Sequence, residues 1–503
     1  MRLFFILLAA LCCAFGTSAQ TPAPPVWSPV ALDAVVLPES AERPFEPLAY
    51  GAFRLDFDGL VNYLSQAPLE FTDEAALRRF TLQMPSPDGA LETYAVWRSE
   101  MMMPGLQAKY PEIRTYAGES LEHTGKKIHF TVSPYLGLDA LVRLADKNIE
   151  YIEPLATGQQ VYYMAYNRHD YPIGMGVNKP ALYLPPNTPP SQQIPTTLAP
   201  VTPRGGEKEW SASPAKLRVY RFACTTTGKF GEDYGTKEAT LAKVVSTTNK
   251  LNAIYEADLA VRLKLIDEED KLIFINSATD PFTGPTCADW LDQNTQVVIN
   301  AIGSLDKLDI GHCFARYISG DAAGIAGGIC CNSNKARGVS SDIYPYGDGF
   351  FSVVGQEIGH MWTGGHTWNL CAQIGGRSPG SACEPGSGST IMSYAGSCGS
   401  DNVVNSRGDL YYQACSIIEI RNFVEKGFGS TCGTVEETGN QDPVVTLNYP
   451  DNFFIPISTP FELKGSATDP DGDALTYCWD EIDLGPPTPL GTAVGNSPLF
   501  RSL

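Results

Sequence analysis

Apolar and polar positions alternate in short runs between Gln20 and Leu184, as in Glu92-Thr-Tyr-Ala-Val-Trp97 and Lys127-Ile-His-Phe-Thr-Val132, with turn residues between them. A period of two puts successive side chains on opposite faces of a strand, so residues 20–184 predict a β-rich first domain. From Pro185 to Ala212 proline and polar residues accumulate, too few of them apolar to build a core, and this stretch (185–212) reads as an exposed linker.

Past the linker, strand and helix patterns take turns. Leu217–Ala223, Val261–Ile266 and Lys271–Ile275 read as strands. From Lys237 to Tyr255 the positions Leu241, Val244, Val245, Thr248, Leu251, Asn252 and Tyr255 keep a period near 3.6, which predicts a helix with one stripe against a sheet. A second helix is expected near Ala288–Gly303. The alternation predicts an α/β or α+β domain over residues 213–432. The acidic run Glu436–Asp442 reads as a short linker (433–443), after which a β pattern returns over 444–503.

Composition adds modules and a compartment. At 503 residues the chain exceeds one ordinary core, since domains take about 100–200 residues. Residues 1–19 combine a basic Arg2, an apolar run to about Phe15 and small residues at Thr17 and Ala19, the pattern of a signal peptide, so a secreted, extracellular protein is expected. No later apolar run reaches the ~20 residues of a transmembrane span. Cys12 and Cys13 leave with the leader, and the poor fit of the residues before them argues against a lipid anchor. The other eleven of the 13 cysteines lie from Cys224 onward and are expected mostly as disulfides. A net charge of −20 disfavours nucleic acid and anionic membranes as partners, because both demand clustered Lys and Arg.

The chemistry concentrates in GFFSVVGQEIGHMWTGGH, residues 349–366. A helix there places Phe350, Val354, Ile358 and Met361 on a buried stripe. Gln356 and His360 then lie one turn apart on another face, with Glu357 at its edge. Gly364 and Gly365 break the helix and let His366 return to the same point.

This stretch resembles the metzincin zinc signature HExxHxxGxxH, and Ser389-Thr-Ile-Met-Ser-Tyr394 resembles the Met-turn that follows it. The layout is similar to that of the reprolysin-like (adamalysin-type) metallopeptidases exported by bacteria. The resemblance implies a multidomain chain: a β-rich prosegment (20–184) cut off in the linker to expose the cleft, an α/β metzincin catalytic domain with a twisted mixed sheet, and a C-terminal segment. It implies zinc on His360, His366 and Gln356, Glu357 as general base and acid, Met392 as the apolar floor beneath the metal, and Tyr394 as a phenol that polarises substrate. The reaction implied is hydrolysis of protein or peptide substrates.

Two positions depart from the signature. Gln356 stands at the first zinc histidine, and an amide oxygen is a weaker ligand than imidazole. The alternative reading is therefore a catalytically impaired homologue that binds protein or surface partners. Thr363 stands at the family's glycine, with Gly364 and Gly365 following, which predicts a shifted turn. His312, in Asp309-Ile-Gly-His-Cys313, reads as structural near the cleft. Gly320–Cys330 resembles the edge strand that receives substrate by main-chain pairing, or else is a glycine-rich surface loop.

Ala467–Tyr477 resembles the opening of a cadherin-like or PKD-like (immunoglobulin-like) β-sandwich. Such a fold takes about 100 residues, so a truncated sandwich is expected at 444–503, available for cell-surface or glycan contact. Asp469, Asp471 and Asp473 read either as Ca2+ ligands, since clustered carboxylates suit a hard cation, or as a solvated turn.

Overall fold

The structure, a computed structural model, describes residues 24–172 except 40, and 214–501 except 317–322, 343–346, 373, 405, 406, 448, 450–453, 457, 458 and 493. The leader and the Pro-rich linker lie outside the described residues.

The N-terminal region is an antiparallel nine-stranded sheet. Its strands are β1 (Trp27–Pro29), β2 (Gly51–Leu55), β3 (Thr81–Pro85), β4 (Leu91–Arg98), β5 (Arg114–Ser120), β6 (Lys127–Ser133), β7 (Gly137–Arg143), β8 (Ile149–Pro154) and β9 (Tyr162–Asn167). The spatial order is β1-β2-β9-β8-β7-β6-β5-β4-β3. In β6 and β7 the alternation sorts two buried faces. Ile128, Phe130, Val132, Leu138, Ala140 and Val142 enter the core of this region, whereas His129, Thr131 and Asp139 point to the other side.

What they meet there is the long helix Lys237–Leu259, whose Thr236 hydroxyl caps the Ala239 amide. This helix is buried nearly all round, Thr240, Ser246, Thr248, Asn249 and Asn252 included. It lies between two sheets rather than against one. The apolar stripe expected from its sequence faces the second sheet, and its polar side faces the first.

The second sheet holds β10 (Pro214–Thr226), β11 (Val261–Leu265), β12 (Ile310–Arg316), β13 (Gly324–Ala326) and β14 (Gly338–Asp342) in the order β11-β10-β12-β14-β13. The pairs β10/β11, β10/β12 and β12/β14 are parallel and β13 is antiparallel. The sheet is therefore mixed, with an antiparallel edge. The long helix crosses from β10 to β11, and the helix Cys287–Ile302, opened by a Thr286/Asp289 capping box, crosses from the β11 side to β12. The helix Asp348–Met361 follows β14, and its Phe350, Val354, Ile358 and Met361 are all buried in the core.

Two segments differ from their sequence pattern. Lys271–Ile275, read as a strand, forms none: the Lys271 and Leu272 amides turn back to the Glu268 and Glu269 carbonyls (both 2.9 Å), and Thr226 donates its amide to the Leu272 carbonyl (3.1 Å) and accepts the Phe274 amide at its hydroxyl (2.8 Å). The acidic stretch read as a linker forms β15 (Thr434–Gln441), antiparallel to the first half of β10. Its alternating Thr, Val and Glu satisfy the backbone of an exposed sheet edge, which acidity alone does not reveal.

Beyond it, the described β structure is one two-stranded ribbon of β16 (Val444–Leu447) and β17 (Gly465–Thr468). Asp469 accepts the Asp471 and Asp473 amides (2.9 and 3.1 Å), and Asp471 accepts from the Gln441 backbone and side chain. These exposed carboxylates make a turn and do not converge on one point. Three disulfides, Cys331–Cys432, Cys371–Cys398 and Cys383–Cys415, staple the C-terminal half, while Cys224, Cys287, Cys313 and Cys330 are buried thiols and Cys478 is exposed. Among the described residues no helix is long and apolar enough to cross a membrane.

Candidate active site

The helix Asp348–Met361 presents Gln356, Glu357 and His360 in its last two turns, all buried. It ends at Trp362 in a Schellman pattern: the Thr363 amide donates to the His360 carbonyl (2.8 Å) and the Gly364 amide to that of Gly359 (3.0 Å). Thr363 takes the left-handed conformation this motif needs, with φ of 69°. The turn therefore keeps the register of the signature glycine and is not shifted onto Gly364 or Gly365. Gly365 serves a close approach instead, since a Cβ there would lie 2.2 Å from Ser381 Oγ.

A β-branched residue in this conformation is strained, and the Thr363 hydroxyl is buried without a hydrogen-bond partner. The left-handed cost is about 1–2 kcal/mol. Thr363→Gly is thus expected to stabilise the fold by about 1 kcal/mol, after the unfolded-state entropy of glycine is deducted. Thermal unfolding checks it; an unchanged or lower midpoint would contradict the strain.

The turn returns His366 to His360. Their Nε2 atoms are 3.1 Å apart and their rings stand at 89°. His360 Nδ1 lies 2.7 Å from the Gly364 carbonyl oxygen and His366 Nδ1 2.7 Å from that of Gly376. A carbonyl only accepts, so each Nδ1 carries the proton and each Nε2 turns a lone pair toward the other. Burial pushes the His360 pKa well below the ordinary histidine value, with His366 adding to the effect, and pushes His366 down to about 4.

Two facing lone pairs at that distance suit a shared cation. Bonds of 2.0–2.1 Å to a tetrahedral metal would set such nitrogens roughly 3.3 Å apart. The carbonyls behind each imidazole are the backing that metal-binding histidines use to fix the tautomer. On the same helix, Gln356 Nε2 donates to the Ser393 carbonyl (3.4 Å), which leaves its amide oxygen as the atom with lone pairs to give. The pair of imidazole nitrogens fits zinc.

Glu357 is fully buried, and neither of its carboxyl oxygens finds a hydrogen-bond partner. Burial pushes its pKa well above the ordinary carboxylate range, and the nearby Ala326 amide acts in the opposite direction without forming a hydrogen bond. It lies against β13: a Cβ on Gly324 would stand 2.6 Å from Glu357 Cγ. An acid kept in apolar surroundings without partners is costly unless it acts on something that enters the site. Of the glycine-rich segment, Gly324–Ala326 is the antiparallel sheet edge; residues 320–322 lie outside the described set.

Met392 lies beneath the helix, its Sδ 2.6 Å from where a Cβ on Gly359 would be. The Tyr394 ring is 4.6 Å from that of His366 and stacks on Trp368, and burial raises its phenol pKa. Sequence reasoning missed two carboxylates that bracket His366. Glu384 accepts from the Thr367 and Thr390 hydroxyls and from the Ser389 and Thr390 amides, tying the residue after His366 to residues 389–390. Glu419 accepts from the Gly365 amide (2.9 Å) and the Ser381 hydroxyl (2.5 Å). Neither has a periodicity or spacing that marks it; both are legible only once the loops are folded together.

His312 takes no part in this cluster. Its Nε2 lies 2.8 Å from Ser340 Oγ, and burial lowers its pKa to about 3. A base whose folded pKa is depressed adds stability above its unfolded value near 6.5, and that stability drains away as pH falls from there toward 3. His312→Gln is accordingly expected to flatten stability against pH between 6 and 4 by about one proton, ~1.4 kcal/mol per pH unit. Denaturant unfolding across that range checks it, and an unchanged slope would contradict it.

A family model described as Metallo-peptidase family M12B Reprolysin-like matches residues 216–422. No curated protein matches the chain. A solved structure described as a chaperone–substrate complex matches with 13% identity and a TM-score of 0.29, covering 42% of this chain and 35% of its own. The chain thus spans about a third of that structure's length, and so low a score carries no inference about fold or function.

Proposed function

Since residues 216–422 match the model of the M12B reprolysin-like metallopeptidases, we propose that the chain is a secreted zinc-dependent endopeptidase acting on protein or peptide substrates. The observation that carries this is the pair of histidine Nε2 atoms 3.1 Å apart, with both Nδ1 protons committed to carbonyls, beside a buried Glu357 that has no partner.

His360, His366 and Gln356 would hold the metal. When bound there, Zn2+ would supply a water of pKa near about 7 and a Lewis acid for a carbonyl. Glu357 takes a proton from the attacking water and passes it to the leaving amine. Tyr394, kept neutral by burial, donates a hydrogen bond to the carbonyl oxygen as charge develops there. Met392 supports the helix from below. The side of β13 that pairs with no strand among the described residues receives the peptide as an added strand, main chain to main chain, while Gly324 leaves room for Glu357.

Casein hydrolysis by the full chain, abolished by a chelator and restored by Zn2+, is the test; hydrolysis that survives chelation would sink the reading. Gln356 favours one other reading, an impaired homologue that uses the cleft and residues 444–503 to hold a surface protein or glycan. Absence of hydrolysis with and without added zinc would favour it.

A further inference from the structure

The largest apolar core ignores the division into an N-terminal and a catalytic region. Met102, Leu141 and Tyr166 from the first share it with Tyr255, Leu263 and Phe350 from the second. Removing the first region would expose one side of this cluster.

Polar contacts follow the same boundary. Asn249 on the long helix donates to the Phe130 carbonyl (3.0 Å), Ser246 to Asp139 (2.6 Å) and Lys250 to Glu153 (2.8 Å), with Lys250 also paired to Asp139. The polar side of that helix therefore has its partners in the nine-stranded sheet, and each of those groups would need new ones if the sheet left. At the edge of the second sheet, the Met103 amide donates to the Leu265 carbonyl and the Leu265 amide to that of Met101, both 2.8 Å, so the N-terminal region covers the outer edge of β11.

One contact reaches the site helix itself. Asp348, its first residue, is held bidentately by Arg168 (2.6 and 2.9 Å) and accepts the Tyr151 hydroxyl (2.7 Å), while Arg168 also donates to the Gly408 carbonyl (2.5 Å). Arg168 and Asp348 are both buried. A planar guanidinium in this arrangement fixes direction as well as distance. The helix that carries Gln356, Glu357 and His360 is thus anchored at its start by a residue of the N-terminal region.

We propose that the N-terminal region is a resident subunit of the catalytic domain, remaining docked after the linker is cut, and that Arg168 is a positioning residue for the site helix through Asp348. The part concerning Arg168 rests on the zinc-site reading; the docking does not. This departs from the expectation of a prosegment that is discarded.

The test uses the full chain with a site-specific protease sequence inserted within residues 185–212. After complete cutting, both fragments are expected to co-elute on size exclusion at neutral pH, at the volume of the uncut protein, in 0.15 M and in 1 M NaCl. Separation into two species without denaturant would overturn the proposal. In the uncut protein, Arg168→Ala is expected to weaken zinc binding about 10-fold, with Arg168→Lys between it and the parent, read by competition with a zinc indicator. Should Arg168→Ala not fold, Arg168→Lys carries the test alone. Unchanged zinc affinity in a folded variant would remove Arg168 from the proposal. Failure of all zinc binding in the parent would strike the peptidase reading while leaving the co-elution result intact.

Discussion

Glu357→Gln is expected to lower kcat for peptide hydrolysis about 10²–10⁴-fold while leaving zinc content and thermal midpoint close to those of the parent. The amide is nearly isosteric, which matters because the side chain is wedged where a Cβ on Gly324 would come within 2.6 Å of its Cγ. A smaller residue would open a void and confound chemistry with packing. The substitution removes the one group here able to accept and return a proton at that place, since His360 and His366 direct their Nδ1 protons to carbonyls. The check pairs a fluorogenic peptide assay with metal analysis of the same sample. A variant that keeps its zinc and loses less than about 10-fold in kcat would require another base.

Gln356→His is expected to raise zinc affinity about 10–100-fold and kcat/KM with it. Position 356 is buried and one helical turn from His360, so an imidazole there enters the same face as the ligand it joins. The present amide is tethered by a long bond of 3.4 Å from its nitrogen to the Ser393 carbonyl, a contact that is weak to lose. Imidazole is the stronger donor for Zn2+, and three imidazoles still leave an open position. Indicator competition and initial rates measure the two effects. Affinity that does not move would show that position 356 contributes no donor atom.

Much of this was legible along the chain because the signals were local. The helix that carries Gln356, Glu357 and His360 has a 3.6 period, and the spacing to His366 already brings it back across one turn. The alternation in β4 and β6 likewise names the strands of the first sheet.

What escaped was decided by tertiary partners. The long helix shows a single apolar stripe, yet its Asn249 and Lys250 are buried because the nine-stranded sheet supplies their hydrogen bonds. Lys271–Ile275 has a strand's composition but no free ladder to join, so Thr226 takes up its backbone groups. At Thr363 local preference pointed to the neighbouring glycines, whereas the Schellman geometry set by Gly359 and His360 fixed the left-handed residue at 363 despite its Cβ. Glu384 and Glu419 are single carboxylates far apart in sequence, and only the folded loops reveal that they hold Thr367 and Gly365, the residues on either side of His366.

The most direct measurement is the zinc-to-protein ratio of the folded protein bearing its natural Gln356, purified without added metal or chelator. A ratio near one, reduced by His360→Ala or His366→Ala in variants that remain folded, is the expected result. A ratio near zero in the folded parent, unmoved by dialysis against Zn2+, would contradict the account.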